Sequence, residues 1–237
     1  MKRSLVDLGQ QLLDAAKRAG ADACDAMAVD GVSHSIEVRG GQLEQAERAE
    51  GIDIGLRVML GARQACVSAS DISAEAIELM AQRAVEMARH APDDAYLCQA
   101  SAEQLARDWD VEALELSDPA EEPSAAQLQA TALEAEAAAL EVAGVMQCQS
   151  AGAAFGARRI HLCMSNGFSG GYARTDHGFS CVAISGTGSQ MERDYDGDSR
   201  IFRADLRAAS EVGRRAGERA VARQGARKPP TGGFPVL

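Results

Sequence analysis

A run of alternating apolar and polar residues that leads into a tight turn constrains the fold of this chain most strongly. The apolar members of the run share one face of an extended strand: Ile52, Ile54, Leu56, Val58 and Leu60. Gly61-Ala62 follows and fits a two-residue hairpin turn with glycine at its first central position, and residues 63–69 would form the returning strand. Because so short a link can join only antiparallel neighbours, the sequence predicts an antiparallel sheet.

Serine residues indicate where three helices begin, at Ser4, Ser73 and Ser124. Ser124 and Gln127 form a capping box, and Ser4 with Asp7 is a looser version of the same pattern. Gly20 is a typical helix stop. The expected helices cover residues 4–20, 73–90, 124–144 and 210–223.

Further strands are expected between the helices. They cover residues 23–29, 32–38, 145–153, 158–165, 172–184 and 190–202. Gly40-Gly41 and Asn166-Gly167 mark turns between them, and the proline-containing stretch 90–123 is predicted to be an irregular surface connection. Runs of strands between helices indicate an α+β fold, with helices packed on one face of a mainly antiparallel sheet.

The two halves of the chain share an order of helices and strands without a residue-level repeat. We therefore interpret residues 1–225 as one α+β domain, a two-layer sandwich of two lobes. The lobes would be residues 1–105 and 124–225, and residues 106–123 would link them.

Composition excludes several classes of function. The net charge of −11 disfavours phosphate backbones and anionic membranes as partners, and with 4% aromatic residues there are few platforms for stacking bases. No signal peptide or membrane-spanning stretch is visible, so the cytoplasm is the expected location. The six cysteines form no Cys-x-x-Cys pair, and we expect them to be reduced and mostly buried.

Gly167-Phe168-Ser169-Gly170-Gly171 matches the G-x-S-x-G pattern of a nucleophile elbow. That motif needs a helix directly after the serine and a later acid and histidine. Here residues 172–184 are predicted to form a strand, and His177 is the sole histidine downstream. A glycine-rich β-turn is the better interpretation.

The remaining motifs also lack residues that the corresponding binding sites require. Asp194-Tyr195-Asp196-Gly197-Asp198 resembles a calcium loop, but its glycine is fourth and its twelfth position is Asp205, so we predict a solvated, charged edge strand. Gly186-Thr187-Gly188 lacks the third glycine of a dinucleotide fingerprint. The four histidines, His34, His90, His161 and His177, are isolated in sequence. The sequence therefore assigns no catalytic, cofactor-binding or metal-binding residue.

Three stretches together resemble the TldD/PmbA family. They are Gly51 to Asp71, Met164 to Gly170 and Arg227 to Leu237. With Ala19 to Asp22 and Val38 to Gly41, the resemblance covers essentially the whole chain, and the first and third stretches are more similar to the PmbA (TldE) branch than to the TldD branch.

This resemblance implies an N-terminal α+β domain followed by a largely β C-terminal domain. It implies that a TldD-type subunit is a zinc metallopeptidase with an H-E-x-x-x-H motif. It also implies that a PmbA-type subunit, historically a "modulator of DNA gyrase", lacks those ligands and pairs with it to process peptides. The family pattern stops at Leu237 before any metal motif, so residues 226–237 are expected to be the truncated beginning of a missing C-terminal β domain.

We therefore expect a non-catalytic N-terminal domain of a PmbA-like subunit, with no zinc or other cofactor of its own. Its expected partners are a TldD-like metallopeptidase subunit, peptide substrates and, as a further option, a second copy of itself. Two alternatives stay open. The chain could belong to the catalytic TldD-type subunit, with its zinc site beyond Leu237, or it could be an independent peptide- or protein-binding module.

Overall fold

A computed structural model describes residues 4–108 and 110–235. The helices are α1 (Leu5–Ala19), α2 (Ala74–His90), α3 (Ala125–Leu140) and α4 (Ala209–Ala222). The strands are β1 (Ala23–Arg39), β2 (Gln42–Leu60), β3 (Arg63–Ala69), β4 (Val145–Met164), β5 (Ser169–Ser185) and β6 (Glu192–Arg200). They form an antiparallel sheet in the order β3-β2-β1-β4-β5-β6, which confirms the α+β prediction.

The chain forms two compact units, each assembled from three separate stretches. The first unit contains the residues up to Ser33 together with Arg48–Ala120 and Gly156–Asp176. The second contains His34–Glu47, Glu121–Phe155 and the residues from His177 onward. The lobes expected from the sequence, 1–105 and 124–225, are each one continuous stretch. These units are instead interleaved along the chain, because β1, β2, β4 and β5 each contribute residues to both.

The first unit buries one face of its strands beneath α1 and α2. Ile54, Leu56 and Val58 of β2 are buried together with Leu8 and Leu12 of α1, as the alternation predicts. The hairpin turn at Gly61-Ala62 is confirmed, since Leu60 pairs with Arg63 in the antiparallel β2–β3 ladder. The side chain of Ser73 accepts a hydrogen bond from the backbone N–H of Ala76 at 3.2 Å and begins α2 as expected.

In the second unit, α3 and α4 approach each other closely because small residues line their contact. A methyl group at Gly213 of α4 would overlap the carbonyl oxygen of Ala135 in α3, and one at Gly217 would lie 3.0 Å from that of Ala139. The capping box of Ser124 and Gln127 is present at the start of α3. The helix ends at Leu140, before the predicted Gly144.

A buried carboxylate fixes the turn between β1 and β2. Glu136 of α3 is 2% exposed, and its two carboxylate oxygens accept hydrogen bonds from the backbone N–H groups of Gly40 at 2.7 Å and Gly41 at 2.8 Å. Both glycines have positive φ, at 61° and 74°, a conformation that side-chain-bearing residues adopt at a cost. The predicted turn is confirmed, and its anchor on α3 was not predicted.

Several predicted element boundaries were wrong. The strands predicted over 23–29 and 32–38 are one strand, β1, and those over 145–153 and 158–165 are one strand, β4. β2 begins at Gln42 although Gln42 to Gly51 are all exposed and show no apolar alternation. Ser4 precedes α1 but makes no side-chain cap, so the loose capping box is not formed. Residues 226–235, expected to begin a further domain, contain no helix or strand, and residues 236 and 237 lie outside the described ranges.

We predict that Gly213→Ala destabilises the second unit, because the added methyl group must displace the backbone of α3. Overpacking of this kind costs about 3 kcal/mol in the free energy of unfolding. Gly51→Ala is the matched control, since no atom lies within 4 Å of a methyl group there and φ is not positive. Chemical denaturation measures both variants, and equal stability would contradict the close helix contact.

We predict that Glu136→Gln lowers the free energy of unfolding by about 2 kcal/mol. A carboxamide offers only one oxygen to the two N–H groups of Gly40 and Gly41, so one buried donor loses its acceptor. Glu141→Gln, at the exposed end of the same helix, is the control. If the two variants unfold at the same denaturant concentration, Glu136 does not anchor the turn.

Candidate functional site

The second unit carries an open groove of about 740 Å³ on the uncovered face of its strands. Its floor residues alternate along the strands with buried ones such as Ile36, Ala153 and Phe179. Since those buried residues belong to the core beneath α3 and α4, the groove lies on the opposite face of the same strands.

Small residues make up the floor of the groove. They are Ser35, Gly152, Ala154, Gly178, Ser180, Gly197 and Ser199. Gly178 pairs with Ser199 and Ser180 pairs with Gly197 across the β5–β6 ladder, so each glycine lies opposite a serine. The floor therefore presents backbone and short hydroxyl side chains, which allows another polypeptide to approach closely.

The carboxylate of Asp196 at the edge of the groove is fully engaged by arginine side chains. It is 6% exposed and accepts hydrogen bonds from Arg207 Nη1 and Arg219 Nη1, each at 3.0 Å. Asp198 accepts the backbone N–H of Arg207 at 2.9 Å. The hydrogen bond to Asp196 also raises the pKa of the Arg207 guanidinium.

The prediction of a solvated strand at residues 194–198 was therefore wrong. β6 is an edge strand, but α4 and the loop before it cover one of its faces with the arginines that neutralise its carboxylates. A hydrogen bond from Arg223 also lowers the pKa of Asp194. The cluster is a set of Asp–Arg pairs that attach α4 to β6, and sequence reasoning missed it because the partners lie 11 to 29 residues apart.

The rim of the groove retains side chains that are free to meet a ligand. Tyr195 is 64% exposed there, and Glu37 is exposed on the side of β1. Hydroxyl groups, an aromatic ring and one carboxylate suit the docking of a polypeptide, whereas a nucleophilic mechanism requires a nucleophile beside a supporting base.

In the first unit, the turn between β4 and β5 holds the irregular segment that follows α2. Ser165 Oγ accepts the backbone N–H of Cys24 at 3.0 Å and donates to Gln99 Oε1 at 3.2 Å. Asn166 Nδ2 donates to the carbonyl oxygen of Ala100 at 2.9 Å. Gly167 completes the predicted turn with a φ of 97°.

The same segment contacts an ion pair between the buried Asp25 and the partly exposed Arg57. Asp25 is 8% exposed; Arg57 donates to one of its carboxylate oxygens and Gln99 donates to the other at 2.6 Å. The sequence gives no signal for these contacts, since Asp25, Arg57 and Gln99 lie in different parts of the chain.

Ser169 forms a hydrogen bond with His161, a residue that lies outside the G-x-S-x-G motif. His161 Nε2 lies 2.9 Å from Ser169 Oγ, and the two residues occupy neighbouring strands of one hairpin. β5 begins at Ser169 itself, so the helix that a nucleophile elbow requires is not there. The interpretation as a glycine-rich turn is consistent with this geometry.

The other histidines lie at strand or helix-end positions as expected. His177 of β5 is buried against Phe155, with ring centroids 4.9 Å apart. His34 Nε2 lies 2.7 Å from Glu122 Oε1, and His90 ends α2 beside Glu86. Within residues 4–108 and 110–235, no three His, Cys, Asp or Glu side chains are close enough to hold a metal ion. That the purified chain binds no zinc stays a prediction.

The expectation of buried cysteines holds for four of the six. All six are free thiols; Cys24, Cys148, Cys163 and Cys181 are buried, and Cys66 and Cys98 are exposed. Cys66 is exposed because it lies on the edge strand β3, and Cys98 because it lies in the irregular segment.

Comparisons with known proteins agree with this architecture. The sequence model of the PmbA/TldA metallopeptidase domain 1 matches residues 24–88, and that of the PmbA/TldA metallopeptidase central domain matches residues 118–224. The chain is 30% identical over 205 residues to Metalloprotease PmbA of Escherichia coli O157:H7, covering 86% of this chain and 45% of that protein. This chain thus spans less than half the length of that curated relative.

Solved structures show the same fold. A protein described as a modulator of DNA gyrase from Bacteroides thetaiotaomicron matches with a TM-score of 0.83 at 19% identity, over 94% of this chain and 51% of that one. TldE from Thermococcus kodakarensis matches with a TM-score of 0.70 at 13% identity, over 90% and 47%.

The class of protein defined by these matches is an α+β segment of a metallopeptidase-related protein. The chain belongs to the PmbA/TldD family. Of the helices in the described ranges, none is both long enough and apolar enough to cross a membrane.

We predict that Asp25→Asn loosens the segment held by Gln99. Without the carboxylate charge, the partly exposed Arg57 guanidinium loses its counter-charge, which costs about 1–3 kcal/mol. Hydrogen exchange of the amides in residues 97–104 should accelerate. Asp53→Asn, whose carboxylate accepts a hydrogen bond from Ser70 at an exposed position, is the matched control and should leave that exchange unchanged. Equal protection in both variants would show that Asp25 does not secure the segment.

Proposed function

We propose that this chain is the non-catalytic N-terminal part of a PmbA-type subunit that pairs with a TldD-type zinc metallopeptidase in peptide processing. The observation that carries the proposal is the 30% identity to PmbA over 86% of the chain. The two family domains are also matched in order along the chain, at 24–88 and 118–224.

The chemistry of the described residues supports a docking role. Asp196 and Asp198 beside the groove are committed to arginines, and the floor is built from glycine, alanine and serine. Such a surface accepts a polypeptide through close approach and through hydrogen bonds to the serine hydroxyl groups of the floor. The proposal includes peptide substrates and a cytoplasmic location, and it assigns no zinc ligand to this chain.

A second candidate function is that the complete protein is itself the metallopeptidase. The names of both family domains and of the Escherichia coli relative favour this second function, since each contains the word metallopeptidase or metalloprotease. In that case the zinc ligands would lie outside residues 1–237. The third alternative, an independent binding module, has no specific observation in its favour.

Co-expression with the TldD-type subunit of the same genome tests the leading proposal. We expect the untagged chain to co-purify with the tagged subunit and to elute with it as one complex in size-exclusion chromatography with light scattering. Recovery of the chain alone, from a well-folded preparation, would contradict the pairing and favour the independent binding module.

A charge placed on the groove floor tests whether the groove is the docking surface. Ala154→Arg puts a long cation on the floor and should reduce the chain recovered with the partner by about tenfold, equivalent to about 1.4 kcal/mol. Ala49→Arg, a matched exposed strand alanine outside the groove, should leave recovery unchanged. If both variants bind equally well, the groove does not form the contact.

A further inference from the structure

Two buried thiols meet between neighbouring strands of the second unit. Cys148 of β4 and Cys181 of β5 have their Sγ atoms 3.8 Å apart, and the residues are 5% and 0% exposed. Both are free, and among the six cysteines, all of which lie in the described ranges, this is the pair whose sulfur atoms meet. Sequence gave no indication of the pair, since 33 residues separate its members.

The geometry points to an oxidative modification site: we infer that Cys148 and Cys181 form a reversible disulfide when a small peroxide reaches them. A disulfide needs Cβ atoms about 3.5–4.5 Å apart. Sulfur atoms already in van der Waals contact therefore need a side-chain rotation and a small strand adjustment to bond.

The two thiols are not equivalent, and the difference assigns their roles. A hydrogen bond from Cys181 lowers the pKa of Cys148, whereas the hydrogen bond to Cys148 and burial raise the pKa of Cys181. Cys148 is therefore the thiol that loses its proton first. Cys181 stays protonated beside it and acts as the second thiol.

The reaction balances with hydrogen peroxide as the two-electron oxidant. The Cys148 thiolate attacks one peroxide oxygen, the O–O bond breaks, and a sulfenic acid and hydroxide form; the hydroxide takes up the proton lost by Cys148 and leaves as water. The sulfur of Cys181 then attacks the sulfenic sulfur, the S–O bond breaks, and the thiol proton leaves with that oxygen as a second water. Two thiols are oxidised to one disulfide, and one peroxide is reduced to two waters.

The position of the pair connects this chemistry to the anchor of the β1–β2 turn. The Cys148 thiol donates to the backbone carbonyl oxygen of Glu136 at 3.9 Å, and the carboxylate of the same residue holds Gly40 and Gly41. Forming the disulfide removes that S–H donor directly beneath α3. Burial also limits the oxidant to a small molecule, because glutathione disulfide is too large to reach a sulfur covered by a helix.

Peptide mapping of the folded wild-type chain tests the inference without any substitution. The protein is treated with hydrogen peroxide, quenched with catalase, denatured, alkylated and digested without reductant. We expect a linked peptide pair containing Cys148 and Cys181, a mass lower by two hydrogen atoms, and full reversal by dithiothreitol. Glutathione disulfide under the same conditions should modify Cys66 and Cys98 and leave the buried pair free.

Variants and controls make the result decisive. Cys181→Ser should abolish the link and allow Cys148 to proceed to a sulfinic acid, whereas Cys24→Ser, at a buried thiol that donates to the carbonyl oxygen of Leu13, should leave the link intact. Recovery of both Cys148 and Cys181 as alkylated thiols, after Cys66 and Cys98 have been oxidised, would overturn the inference. The same is true if the link forms only in unfolded protein. Since the chain is studied alone, neither outcome depends on the pairing proposed above.

Discussion

Backbone hydrogen bonding along four long strands is the constraint on which the rest of the structure depends. β1, β2, β4 and β5 contain 17, 19, 20 and 17 residues, and each contributes to both compact units. These strands extend beyond the segments that bury apolar side chains, as the exposed first half of β2 shows. In these exposed stretches the strands are continued by backbone pairing with the neighbouring strand and not by burial of apolar side chains.

Small residues then determine what each face of the strands can do in the second unit. On the covered face, Gly213 and Gly217 let α4 approach α3, and the Asp–Arg pairs attach α4 to β6. On the open face, glycine, alanine and serine leave a groove that a polypeptide can enter. The same small side chains thus give tight helix packing on one side and, on the other, the open groove that we propose as a docking surface.

Local signals predicted the local structure, and contacts between distant residues were the part that could not be predicted. The Gly61-Ala62 hairpin, the Ser124 capping box and the turn at Asn166-Gly167 depend on residues adjacent in sequence, and all three are present. The prediction of continuous strands failed wherever a strand extends beyond the core, because exposed stretches lose the apolar alternation on which the prediction depends.

The candidate site shows the same difference between local features, which the sequence predicts, and contacts between distant residues, which it does not. Its glycines and serines are visible in the sequence, but their convergence on one groove depends on strand order and register. Three contacts join residues that are 32 or more positions apart: the pair of Asp25 and Arg57, the hydrogen bonds from Gly40 and Gly41 to Glu136, and the pair of Cys148 and Cys181. The sequence does not give the relative positions of the elements that carry them. Family resemblance supplied the functional expectation that residue patterns alone did not.

The zinc content of the assembled complex tests the central claim most directly. The proposed PmbA-type subunit is purified together with the proposed TldD-type partner, without a histidine tag, and zinc is measured by elemental analysis beside peptidase activity. Replacing the histidines of the partner's H-E-x-x-x-H motif should remove both the zinc and the activity while the complex stays assembled. Zinc and activity that remain with the subunit containing this chain would contradict the account and identify it as the metallopeptidase.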